Sequence, residues 1–100
     1  MKELKNDKYK NARGRSRLLN LHCRVCANKI LVYQKDGPGN LRRLYLDRII
    51  SPKKLTGLGL KALNSIQILR CSKCREDLGT PYMYKKENRK AFKLYQDALV

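Results

Sequence analysis

The sequence predicts a small, mainly-β domain of antiparallel sheets, with a C-terminal α-helix and a basic N-terminal arm. Three observations lead there. Two Cys-x-x-Cys pairs, Cys23/Cys26 and Cys71/Cys74, stand 44 residues apart. Around them lie short β-branched and aromatic runs, bounded by Gly, Pro, Asn and Asp turn signals. After Lys85 the apolar spacing shifts toward a 3.6-residue period. A chain of 100 residues has room for one domain. At this size folding buries only ~60–70% of the unfolded chain's surface, so a cross-link adds much.

The elements follow in order. Residues 1–17 carry Lys2, Lys5, Lys8, Lys10, Arg13, Arg15 and Arg17 against Glu3 and Asp7, with little apolar content. They read as an extended basic arm, leaving 18–100 as the single domain. Residues 19–22 read as a short strand leading into the first cysteine pair. Residues 28–34, with Ile30-Leu31-Val32-Tyr33 at their centre, read as the next. Asp36-Gly37-Pro38-Gly39-Asn40 is a strong turn signal. Residues 41–50 place Leu44 and Leu46 on one side and Tyr45 and Ile49 on the other. A helical period also fits there, but the preceding turn favours a strand. Ser51-Pro52 ends it, and Thr56-Gly57-Leu58-Gly59-Leu60 reads as a loop. Residues 65–70 read as a strand running into the second pair. From 85 to 99, Phe92, Tyr95 and Leu99 fall at i, i+3 and i+7, with basic residues around them, which predicts an amphipathic helix.

The cysteines carry the most specific chemistry. Each Cys-x-x-Cys turn sets two sulfurs on one side of a tight loop, and two such turns supply the tetrahedral four-sulfur shell that zinc favours. The sequence therefore predicts one structural Zn2+ on Cys23, Cys26, Cys71 and Cys74. Its binding free energy would be folding free energy, on the order of 10 kcal/mol. Arg24, Lys73 and Arg75 are expected to favour the thiolates. Disulfides fit poorly with an opening MKELKNDKYK that reads as no secretory signal. A redox dithiol would call for a βαβ pattern, which is missing. A rubredoxin-type iron uses the same four ligands and stays open. His22 adjoins Cys23 but reads as a strand residue or an outer hydrogen-bond donor, because four sulfurs already fill the shell.

The segment Ile68-Leu-Arg-Cys71-Ser-Lys-Cys74-Arg-Glu-Asp-Leu78-Gly79-Thr-Pro-Tyr82-Met-Tyr84-Lys-Lys-Glu87 resembles the second half of Yippee-like proteins. There a Cys-x-x-Cys is followed by Leu-Gly, an aromatic and lysine segment and a basic tail. Gly37, Gly39 and Leu44-Tyr45-Leu46 are similar to that family's first half. The resemblance spans roughly residues 20–90. It implies a β-tent, two antiparallel sheets pinned at the apex by zinc on four cysteines, shared with the cereblon ligand-binding domain. The metal ligands Cys23, Cys26, Cys71 and Cys74 carry over. The chain has no tryptophan, so the family's aromatic ligand pocket does not. Small basic zinc-ribbon proteins of the ribosome share the charge and the paired cysteines.

Charge indicates the partner. Lys and Arg total 24 against 8 acidic residues, a net +16 with pI near 10.1. Such an excess disfavours a compact chain unless a polyanion offsets it. Basic residues alternate with aromatic ones, so phosphate contacts and base stacking are both expected. The candidate RNA contacts are Lys8, Lys10, Arg13, Arg15 and Arg17 in the arm, then Arg42, Arg43, Lys53, Lys54, Lys85 and Lys86. Neither a recognition helix nor a dimer signature points to duplex DNA, so RNA is favoured, with ribosomal RNA and ribosomal proteins as the setting. An acidic protein partner would also satisfy the charge. The alternative function is a β-tent interaction module that grips a protein or small ligand. Catalysis is not expected: His22 is the single histidine, and a four-thiolate zinc has no open position for water. The longest apolar run is Ile30-Leu31-Val32-Tyr33, far short of the ~20 residues that span a bilayer. No membrane partner is expected, and the reduced cysteines suggest the cytoplasm.

Overall fold

The apolar residues of RLLNLH and the continuous run Ile30-Leu31-Val32-Tyr33 in KILVYQK build the first hairpin. The computed structural model describes residues 16–37 and 41–100. Strand β1 (Arg17–His22) pairs antiparallel with β2 (Lys29–Lys35), from Arg17 opposite Lys35 to His22 opposite Lys29. The first Cys-x-x-Cys closes this hairpin. Strand β4 (Ile49–Ser51) pairs with the other edge of β2, giving a sheet of order β1-β2-β4. Central β2 is covered on both faces, so its run Leu31 to Lys35 is buried without alternation.

The second sheet has the order β3-β7-β6-β5. Its strands are β3 (Arg43–Tyr45), β5 (Leu69–Arg70), β6 (Asp77–Tyr84) and β7 (Arg89–Leu94). The second Cys-x-x-Cys closes the β5–β6 hairpin. Among the described residues these are the two sheets, each carrying one cysteine pair. Gly79 of the Leu-Gly dipeptide serves this pairing directly. A Cβ there would lie 2.9 Å from the Lys93 carbonyl oxygen, so only glycine lets β6 and β7 approach.

The expected helix over 85–99 is overturned. Residues 85–88 form a turn, with Asn88 in the left-handed region at φ 51°, and Arg89–Leu94 is a strand paired with both β6 and β3. Alternation in RKAFKL is disguised because Lys90 shares the inner face with Phe92. Its ammonium is satisfied by the carbonyls of Gly59 and Lys61, at 3.3 and 2.6 Å. The one α-helix among the described residues is instead a single turn, α1 (Lys53–Thr56). The strand expected over 41–50 is split into β3 and β4 by the 3-10 turn Leu46–Arg48. The strand expected over 65–70 shrinks to β5, after the 3-10 turn Leu63–Ser65. Of the expected arm, residues 1–15 lie outside the described residues, and Arg17 already belongs to β1. The turn signal at 36–40 lies partly outside them too. Gly37 is described, with φ 91°.

The core lies between the sheets, with Leu21, Leu31 and Ile49 from one and Leu44, Leu69, Leu78 and Phe92 from the other. Two polar features tie it. Arg48, 1% exposed, pairs with Asp36 at 2.7 Å, and Asp36 also accepts from the Gln34 amide and the Ser16 hydroxyl. The buried Tyr33 hydroxyl accepts the Tyr45 N–H at 2.9 Å, bridging β2 to β3. Burial raises the Tyr33 pKa above the usual tyrosine range, so the phenol stays neutral. Tyr33→Phe is expected to cost about 1–3 kcal/mol, because it strands that N–H away from water. A denaturant midpoint unchanged from wild type would refute the bridge.

Candidate metal centre and basic surfaces

Each cysteine pair is held by the same backbone pattern. In the first, Cys23 N–H donates to the Asn28 carbonyl and Ala27 N–H to that of Cys23, both at 2.9 Å. In the second, Cys71 N–H donates to the Glu76 carbonyl at 2.9 Å and Arg75 N–H to that of Cys71 at 3.0 Å. Closing the turn puts the residue after each second cysteine in the left-handed region, Ala27 at φ 63° and Arg75 at φ 67°. Glycine occupies that region without strain, whereas an L side chain is penalised by roughly 1–2 kcal/mol. Ala27→Gly and Arg75→Gly should each therefore stabilise by up to about 1 kcal/mol once unfolded-chain entropy is counted. The melting temperature checks this, and a decrease for both would refute it.

The turns face each other across the sheet junction. All four sulfurs lie within 4.8 Å of one another, with Cys23 to Cys74 and Cys26 to Cys71 both at 3.6 Å. A tetrahedral ion with bonds of ~2.3 Å sets its sulfurs ~3.8 Å apart, so this cluster could hold one metal ion. The thiols are free, those of Cys23 and Cys71 buried. Asn28 of the first turn aims its amide at Cys71 Sγ of the second, 3.8 Å away. That donor lies outside what the cysteine motif reveals. His22 is not among the clustered ligands, and its N–H and carbonyl pair with the Val100 backbone at 2.9 Å each.

Backbone donors and burial act on the sulfurs of the second turn. The Cys74 N–H, with help from that of Lys73 and neighbouring thiols, draws Cys71 down to about 6 against the effect of burial. Cys74 receives the Glu76 N–H, but burial and the three other sulfurs push its thiol up to about 12. A cation in the centre of the cluster would favour the ionised sulfurs.

The expected RNA contacts are distributed as follows. Lys8, Lys10, Arg13 and Arg15 lie outside the described residues. Arg17, Arg42, Lys53, Lys54, Lys85 and Lys86 are exposed, on β1, before β3, on α1 and in the β6–β7 turn. Arg43 is half-buried, with its guanidinium 4.0 Å above the Tyr84 ring and Nε donating to the Tyr82 hydroxyl at 2.9 Å. The structure adds basic residues that the sequence reading missed. A cleft of about 620 Å³ beside Cys71 is lined by Lys29, Lys54, Lys61, Arg70 and Arg75, and by no carboxylate among the described residues. Only Lys54 was foreseen. The others are scattered from 29 to 75 in the chain, and pairing of the hairpins brings them to one opening. Arg89, also unforeseen, is held by Asp47 at 2.6 Å and Glu87 at 3.3 Å. No helix among the described residues is long and apolar enough to cross a membrane.

Comparison with known protein families, curated proteins and solved structures returned no match.

Proposed function

We propose that this chain is a non-enzymatic RNA-binding protein whose two sheets are stapled by one structural Zn2+, and that its RNA is ribosomal. Four thiolates with tetrahedral spacing suit zinc and leave it no open coordination position, so the metal holds rather than reacts. Zinc would place a 2+ charge among sulfurs that resist ionising together. A pair of sheets joined at one end by the cysteines also supports the β-tent reading.

The observation that carries RNA binding is the joint one of charge and shape. A net +16 accompanies a cleft lined by five Lys and Arg side chains, with no carboxylate in the lining and Arg70 alone of the five ion-paired, to Asp77 outside it, among the described residues. Phosphates satisfy such a surface, and their contacts position RNA irrespective of sequence. Purification from native cells without nuclease tests this: the chain should co-sediment with ribosomes and leave them at high salt. A monomeric, ribosome-free species would favour the second reading, an interaction module that holds a protein or anionic small ligand. The same cleft supports that reading, since its volume lies within the roughly 300–1,000 Å³ of ligand sites.

A further inference from the structure

The register of the second sheet brings together residues that lie far apart in the chain. Tyr45 of β3 stands opposite Ala91 of β7, and Ala91 opposite Tyr82 of β6. One row along, Arg89 stands opposite Tyr84. On the other side Arg43 stands opposite Lys93. Side chains alternate across a sheet, so these residues share one face, while Leu44 and Phe92 point from the other into the core. Ala91 is 0% exposed between its two flanking tyrosines. The tyrosines themselves are partly exposed.

The rings form a connected surface. Tyr45 and Tyr84 have centroids 6.0 Å apart with planes at 61°, and Tyr82 and Tyr84 are 6.4 Å apart at 66°. Arg43 lies over Tyr84 at 4.0 Å and Arg89 over Tyr45 at 3.6 Å. The Tyr45 hydroxyl donates to Glu87 Oε2 at 2.8 Å. Asp47 and Glu87 at the rim are both engaged by Arg89.

We propose that this outer face is a stacking platform for unpaired RNA bases, formed by Tyr45, Tyr82 and Tyr84 with Arg43 and Arg89. The proposal rests on the RNA reading above and names the form of RNA and the place that takes it. Aromatic rings and guanidinium planes both stack on bases, whichever base is presented. Because neighbouring rings are tilted by 61–66°, bases resting on them cannot also stack on each other. The face thus suits splayed single-stranded nucleotides over a duplex. Exposed Lys93, with Lys85 and Lys86 in the adjoining turn, supplies phosphate partners.

The test compares a short labelled oligouridine with a duplex RNA, using the zinc-loaded full chain. Tyr82→Leu with Tyr84→Leu removes two rings and should weaken oligouridine binding by at least the roughly 5- to 150-fold that losing one stacked base costs. Duplex binding and the salt dependence should be unchanged. Tyr82→Phe with Tyr84→Phe keeps both rings and loses only the Arg43 Nε hydrogen bond to the Tyr82 hydroxyl, so it should weaken oligouridine binding far less than the Leu pair. The chain has no tryptophan, so quenching of wild-type tyrosine emission by oligouridine reports stacking even where a variant loses its metal. Wild-type affinity in the Leu variant, or no quenching at saturation, would overturn the platform while leaving RNA binding intact. A wild-type chain that binds neither RNA at low salt would overturn both readings.

Discussion

Cys71→Ser is expected to abolish metal retention and to unfold the domain. The residue sits where β5 meets its hairpin turn, and its sulfur faces Cys26 of the other sheet at 3.6 Å. A structural site contributes about 10 kcal/mol of folding free energy, against total stabilities of roughly 5–15 kcal/mol for domains in general. Losing one ligand of four should therefore consume most of the margin. Native mass spectrometry should find one metal per wild-type chain and none in the variant, with loss of the β signal in circular dichroism. His22→Ala is the control and should keep its metal, because His22 lies outside the sulfur cluster. A chelated wild-type chain that retains its spectrum and melting transition would refute the structural role.

The second large effect concerns salt. With ~6 phosphate contacts to single-stranded segments, log affinity against log salt should fall with a slope of about −4. Removing residues 1–15 should flatten that slope without disturbing the metal, since β1 begins at Arg17. Lys54→Ala with Lys61→Ala in the cleft should reduce it by ~0.7 for each phosphate that is no longer neutralised. Both changes should weaken binding about equally across RNA sequences, because phosphate contacts carry no sequence information. A slope near zero in the wild type, or one unmoved by both changes, would assign the charge to another partner and favour the interaction module.

What the sequence made legible is what depends on neighbours along the chain. The Cys-x-x-Cys spacing predicted the sulfur cluster because each turn is local, and the apolar, aromatic run Ile30-Leu31-Val32-Tyr33 predicted the strand that follows the first pair. The second sheet was obscured by charged residues placed inward. Lys90 faces the core side and reaches carbonyls of the 57–61 segment, so RKAFKL lost its period-2 signature and borrowed a helical one from Phe92, Tyr95 and Leu99. Arg48 is likewise buried, against Asp36, within a stretch whose period is broken by a 3-10 turn. The cleft and the tyrosine face depend on long-range register, Tyr45 with Ala91 with Tyr82. No local pattern encodes such a pairing.

The β3–β7 pairing and the split cysteine pairs also bear on synthesis of the chain. Cys23 and Cys26 emerge 44 residues before Cys71, a gap of about 2–9 s at elongation rates of ~5–20 residues per second. Through that interval the first hairpin offers a two-thiol ligand with no second pair to close it. Strand β3 must wait longer still, until Arg89–Leu94 arrives as its neighbour. The first sheet is complete in the chain by Ser51, but the second cannot form element by element. The metal proposed above would be captured late, in one step that joins the two sheets, so its supply during those final residues would set how much chain folds.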